Sequence, residues 1–217
     1  MKLTRLPGTS FRSQAVRAIR TAVVTGEIAG GNIYSVPSLA ARFGVSATPV
    51  REAMLDLVSE GLAEPVRNRG FRVIEASSDD LDEIFELRLL LEVPTLRKLA
   101  GSLPAGQAKR FERLTDEIEA AVDTCDIVRF LEADRSFHLG LLALLGNVRL
   151  VEFVDRLRLQ SRLPGLGALI EAGELDATAK EHRQILEALV AGNRPLVETL
   201  MTRHLRHTRG VWAGLYE

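Results

Sequence analysis

The sequence predicts a mainly α protein in two parts, and three observations predict it. Leu, Ala and Val dominate its apolar residues while aromatics make up only 5%, a composition that favours helices. Between Ser35 and Leu57 two short helical patterns meet at a glycine, and a strand–turn–strand pattern follows them. After Ile74 every apolar segment has a helical period. The expectation is an N-terminal winged helix-turn-helix with a small β-wing over residues 1–76, then a C-terminal antiparallel α-helical bundle over 77–217.

The elements follow in order. Residues 1–10 read as a loose tail, and Phe11 to Glu27 as a first helix with Ala15, Ala18, Ile19, Ala22 and Val23 inside. Pro37–Phe43 reads as a second helix, with Ser35 as its cap and proline tolerated in the first turn. Gly44 supplies the left-handed position that ends it. Ser46 is placed to cap a third helix whose apolar stripe is Val50, Met54, Leu57 and Val58. Ser46, Thr48, Pro49 and Arg51 lie at its start, off that stripe, where a recognition helix offers polar and cationic groups to base edges and phosphates. Gly61–Val66 and Phe71–Ile74 read as two strands joined by a basic turn, Arg67-Asn68-Arg69-Gly70, which suits a groove lined by phosphates.

Ser77-Ser78-Asp79-Asp80 makes a polar link and a helix start, with acids favoured in the first turn. Asp80–Gly101 carries Leu81, Ile84, Phe85, Leu87, Leu91, Val93 and Leu96, with a kink expected at Pro94. Pro104–Val122 presents Phe111, Leu114, Ile118 and Val122 inward. Asp126–Leu145, Val148–Leu163, Asp176–Ala191 and Pro195–Trp212 complete six main helices, with a break at Pro164-Gly165-x-Gly167.

Charge sharpens the division. Residues 1–75 hold ten Lys or Arg against six Asp or Glu, whereas the remainder holds eighteen against twenty-three. A basic module beside an acidic one is expected when only the first meets DNA. No run of eighteen apolar residues is present, so no membrane span is indicated. The first residues lack the apolar core of a signal peptide. A single cysteine, Cys125, makes no internal disulfide, which fits a reducing cytoplasm.

The second part carries a candidate metal site. His138 stands four residues after Asp134, on one helix face. His182 and His204 sit beside apolar stripes on two later helices. One carboxylate and three imidazoles that converge would suit Zn²⁺ or Ni²⁺ and admit Mn²⁺ or Fe²⁺. Taken singly, each histidine reads equally as a hydrogen-bonded core residue, and spacing does not prove convergence across helices. His207 follows too soon after His204 to share its face.

Two stretches resemble a known family. Gly44-Val45-Ser46-x-Thr48-Pro49-Val50-Arg51-Glu52-Ala53-Met54, with Gly61-Leu62 and Arg69-Gly70-Phe71-x-Val73, resembles the DNA-binding domain of the GntR regulators. The resemblance implies DNA contacts at Arg42, Ser46, Thr48, Arg51, Arg67 and Gly70. Pro37 and Ala47 stand where that family often has arginine. From about Ser77 onward, Glu86-Leu87-Arg88-x-x-Leu91-Glu92, Asp134-x-x-Phe137-His138, Gly146-Asn147, Glu181-His182-Arg183 and Met201-x-x-His204 resemble the all-helical effector domain (FCD type) of the FadR branch, closest to its VanR-like subgroup. That resemblance implies a metal at Asp134, His138, His182 and His204, and an effector pocket at Arg88, with Asn147 as a further candidate that also suits a helix cap. An arginine fork beside a metal would clamp a carboxylate, so the effector expected is a small organic or sugar acid. The function expected is a metabolite-responsive repressor that binds a pseudo-palindromic DNA operator as a homodimer. A metal-dependent hydrolase or isomerase on the same bundle is the alternative, and a purely structural helical protein would leave the basic wing unexplained.

Overall fold

The computed structural model describes residues 11–24, 27–104, 106–161 and 175–212. The chain divides into two compact units, Met1–Glu75 and Ala76–Glu217. The tail at residues 1–10 and the break at Pro164–Gly167 lie outside the described residues.

Among its described residues the first unit has three helices and a small sheet: α1 (Phe11–Val24), β1 (Ile33–Tyr34), α2 (Val36–Phe43), α3 (Ala47–Ser59), β2 (Ala63–Val66) and β3 (Gly70–Val73). Ile19, Leu39, Val50, Met54 and Leu57 are sealed in its core, so the three helices share one apolar centre. Ser35 caps α2 by accepting the Ser38 N–H, and Gly44 ends it at φ 65° with its own N–H on the Ala40 carbonyl. Ser46 occupies the N-cap of α3 as expected, but its hydroxyl makes no capping bond.

The sheet has three strands rather than the two of the sequence reading, in the order β1-β3-β2, all antiparallel. Two residues are too few for alternation to show, which is why β1 is silent in the sequence. It pairs Ile33 with Arg72 and Tyr34 with Phe71. Gly70 makes that pairing possible. Its φ is +125°, and a Cβ there would stand 2.1 Å from the Tyr34 carbonyl oxygen. Gly70→Ala is therefore expected to push β1 off the wing and cost on the order of 1–3 kcal/mol. An unchanged thermal midpoint for that variant would contradict this reading of the sheet.

The second unit contains, among the described residues, α4 (Ser78–Leu99), α5 (Gln107–Asp123), α6 (Ile127–Ala143), α7 (Val148–Ser161), α8 (Leu175–Val190) and α9 (Arg194–Trp212). Ser77 and Asp80 form a reciprocal capping box at the start of α4. The helix runs on through Pro94 to Leu99. Helix α9 packs on α4 and α8, α5 on α6 and α8, and α7 on α4 and α6.

The buried residues of α4 are Leu81, Ile84, Arg88, Glu92, Val93, Leu96 and Leu99. Leu87, assigned inward from the sequence, is instead 38% exposed. The true face has helical spacing, but two of its positions hold an ion pair in place of hydrocarbon. The other helices repeat this device: Asp134 and His138 interrupt the stripe of α6, His182 that of α8, and His204 that of α9.

Candidate metal centre and nucleic-acid interface

In the first unit the candidate DNA contacts fall on two surfaces. Ser46, Thr48 and Arg51 are exposed at the start of α3, while Pro49 is half-buried. Arg67, Asn68 and Arg69 are exposed in the turn between β2 and β3. The turn closes with the Arg69 N–H donating to the Val66 carbonyl at 3.0 Å. Asn68 takes a left-handed φ of 59° there, a conformation asparagine tolerates better than most residues. Arg42 donates through Nε and Nη2 to Glu27 at 3.1 and 2.7 Å. The pair is exposed and so contributes little to stability, which leaves Arg42 free to exchange Glu27 for a phosphate.

In the second unit the structure brings together the four residues named from spacing. Ligand atoms of Asp134, His138, His182 and His204 all lie within 4.8 Å of one another. The three imidazoles are 0% exposed and Asp134 is 6% exposed. Helical spacing presents Asp134 and His138 one turn apart on α6, and α8 and α9 bring the other two. Phe137 packs edge-on beneath the cluster, with ring centroids 5.3 Å from His138 and 5.2 Å from His182.

The hydrogen bonds around the rings fix their tautomers. The Nδ1–H of His182 donates to the Thr178 carbonyl at 2.8 Å, since a carbonyl can only accept. Its Nε2 then carries a lone pair, 3.1 Å from the Asp134 Oδ1 and from the His138 Nε2. The Nδ1–H of His204 donates to Glu181 Oε2 at 2.8 Å. This leaves the His204 Nε2 as a buried acceptor with no hydrogen-bond partner among the described residues.

Burial is the largest influence on all three rings and disfavours the imidazolium. It holds His138 well below the usual range and brings His182 and His204 down to about 4, although the Thr178 carbonyl and Glu181 pull those two the other way. Neutral imidazoles, a buried carboxylate and an orphaned buried lone pair fit a divalent cation. Metal-site histidines ordinarily direct their second nitrogen to a carbonyl or carboxylate, as His182 and His204 do here.

Charged groups that sequence spacing did not single out surround the cluster. Arg158 on α7 is 2% exposed and donates to Glu92 Oε2 at 3.0 Å and to Asp134 Oδ2 at 2.8 Å. Arg88 donates through Nε to Glu92 Oε1 at 2.7 Å. Burial is the largest influence on Glu92 and pushes its pKa up, but Arg88 and Arg158 outweigh it and hold the carboxyl below its usual range. Burial lowers Arg88 to about 10, against the pull of Glu92. Arg88 therefore remains charged at neutral pH. Burial lowers Arg158 as well, against the pull of Glu92.

Arg88 thus lies deep in the unit and also lines a small cleft with Ile84, Phe85, Ser161 and Leu205. Asn147 stands elsewhere in role. It is exposed, and its side chain accepts the Leu150 N–H at 3.1 Å as the cap of α7. One signal for the missed groups was available: Arg158 shares a helical face with Val154, Leu157 and Ser161, all buried.

Comparison with known proteins places the chain. Residues 83–207 match the FCD domain, and residues 11–73 match the bacterial regulatory proteins of the gntR family. The chain belongs to the GntR family, in its FCD-containing form. A probable D-xylose utilization operon transcriptional repressor of Paenarthrobacter nicotinovorans is 30% identical, over 93% of this chain and 88% of that protein. An HTH-type transcriptional regulator in an unstable DNA locus of Streptomyces ambofaciens is 31% identical, over 92% of this chain and 84% of its own length. The solved structure of E. coli McbR/YncC has the same fold, with a TM-score of 0.79 at 24% identity over 97% of this chain and all of that one. This GntR protein is a transcription regulator with a DNA-binding module and an effector-binding module. Regulators and not enzymes make up the family, which removes the hydrolase or isomerase alternative. Among the described residues no helix is long and apolar enough to cross a membrane.

Proposed function

We propose that this regulator is a repressor whose hold on DNA is set by a small acid bound beside a divalent ion. Asp134, His138, His182 and His204 would hold the ion, with Zn²⁺ or Ni²⁺ preferred by three imidazoles and Mn²⁺ or Fe²⁺ admitted. The observation that carries the reading is the buried convergence of those four side chains, with an unpartnered Nε2 on His204. The bound ion would supply an anchor for one carboxylate oxygen. Arg88 offers a planar guanidinium to the organic or sugar acid that brings it. The repressor sense is supported by the relative named for repression of a sugar-utilization operon.

Ser46, Thr48, Pro49 and Arg51 of α3 would read base edges and phosphates, and Arg67, Asn68, Arg69 and Gly70 of the wing would meet the backbone, joined by Arg42. A homodimer would present two such units to a pseudo-palindromic operator. The acid regulates only by binding two dispositions of those units with different affinity.

The test is a melt of chelator-treated protein reloaded with Zn²⁺, Ni²⁺ or Mn²⁺ and challenged with a panel of small carboxylic and sugar acids. An ion at about a thousand times its dissociation constant stabilises by about 4 kcal/mol. For a chain of this size that is a rise of roughly 8–16 °C, and His182→Ala should abolish it. One acid class should add a further rise and release a duplex selected from genomic DNA. Arg51→Ala should weaken that duplex by roughly tenfold or more, as a lost base or phosphate contact does. A melt indifferent to every ion would sink the metal reading, and an Arg51→Ala protein that holds DNA as tightly would sink the placement of α3.

A further inference from the structure

We propose that Glu92 is the positioning residue that couples this centre to its arginines, by turning toward the Nδ1–H of His138 when the Nε2 of that ring becomes a ligand. The proposal rests on the metal reading above and extends it to how the site is regulated.

Three of the four cluster groups have an outer partner at hydrogen-bond distance: Thr178 for His182, Glu181 for His204 and Arg158 for Asp134, each at 2.8 Å. His138 is the exception. Its Nδ1 is buried with no hydrogen-bond partner among the described residues, and Glu92 Oε2 stands off at 3.7 Å. The tautomers explain the gap. His182 holds its proton on Nδ1, so the 3.1 Å contact between the two Nε2 atoms is a hydrogen bond only if His138 keeps its proton on Nε2. The Nδ1 of His138 then carries a lone pair and has no proton to give the Glu92 carboxylate.

A ligating imidazole nitrogen cannot carry a proton. With His138 ligating through Nε2, its one remaining proton sits on Nδ1, and Glu92 Oε2 is the acceptor at hand. A closing movement of less than about 1 Å completes the bond, within the ordinary range of nitrogen–oxygen hydrogen bonds. That same oxygen now accepts from Arg158 at 3.0 Å, while Oε1 accepts from Arg88 at 2.7 Å. Glu92 is 0% exposed and the two arginines 2–3% exposed, so none of these charges has water to turn to. Drawing Glu92 toward His138 therefore loosens its hold on Arg158 and Arg88 and leaves guanidinium donors for an incoming acid. Ligation and acid binding strengthen each other through one carboxylate.

The experiment uses the wild-type protein with its histidines labelled with ¹⁵N, treated with chelator and then titrated with Zn²⁺ alone. Long-range nitrogen–proton correlations report which ring nitrogen carries the proton. The chelator-treated protein should show His138 protonated on Nε2, and His182 and His204 protonated on Nδ1. Zinc should move His138 alone to the Nδ1–H form. In E92Q the zinc dissociation constant should rise roughly 10–100-fold, as removal of an outer-shell partner does. A His138 that already carries its proton on Nδ1 before zinc is added, or that keeps it on Nε2 once zinc is held by the other three groups, would overturn the proposal while leaving the metal site intact. Zinc that perturbs none of the three rings would overturn the metal site itself. The decisive spectra need no variant, so a poorly folding E92Q does not rescue the idea.

Discussion

Arg158→Met should destabilise the helical unit by about 3–5 kcal/mol, the range found when one partner of a buried ion pair is removed. Methionine fills most of the volume and is apolar, so packing is nearly kept and charge alone is lost. The loss takes one donor from each of two buried carboxylates. Glu92 keeps Arg88, but Asp134 loses the donor on its Oδ2 inside a site where it is 6% exposed. Domains of ordinary size have only about 5–15 kcal/mol of stability, so the urea midpoint should fall by about a fifth or more. Arg135→Met is the control. Arg135 also makes a two-point pair, with Asp155, but on the surface, with its side chain 47% exposed. Its removal should cost about 1 kcal/mol or less. Equal losses from the two variants would mean that Glu92 and Asp134 are not charged in the folded protein.

That network also marks where sequence reading reached its limit. The apolar period located every described helix of the second unit and, with the glycine and the basic turn, the helix-turn-helix and wing. On α4 it found Leu81, Ile84, Val93 and Leu96, which are buried, but it counted only hydrocarbon. Leu87 and Leu91 drew the face to one side, whereas Arg88 and Glu92 occupy the buried stripe between Ile84 and Leu96. Burying two charges is costly enough that a polar residue is ordinarily assigned to water, and here the cost is offset by pairing across α4, α6 and α7. The four cluster residues were legible because two of them share a helix face, yet their meeting is a fact of tertiary packing. Their outer partners were less visible still. Glu181 precedes His182 directly in sequence but serves His204, a contact across two helices. The same local logic mistook the role of Ser46, whose N-cap position is right and whose hydroxyl makes no cap bond. The Asn147 side chain, in contrast, is engaged in the cap that its position before α7 suggested.

The second large effect expected is acid lability of the chelator-treated protein between pH 6.5 and 4. Burial holds His182 and His204 at about 4 in the folded chain, against an ordinary value of 6.5, and shifts His138 in the same direction. Above pH 6.5 these rings are neutral whether the chain is folded or not, and they leave stability untouched. Below it the unfolded chain takes up protons that the folded chain refuses, so stability falls as pH falls. The fall continues until the folded rings themselves protonate near pH 4. One unit of difference is worth about 1.4 kcal/mol, so each of these two rings removes about 3 kcal/mol over that window. Together they take most of the stability that a domain has to lose. Urea midpoints should therefore drop steeply from pH 6.5 to 4.5, by a slope that one ring fewer, in His204→Gln, makes shallower. Zinc should hold the midpoint up through the upper part of the window, because ligation favours the same neutral rings that folding does. A midpoint that stays level down to pH 4.5 without metal would mean that the three imidazoles reach water, and a dry, preformed cation site would be excluded with it.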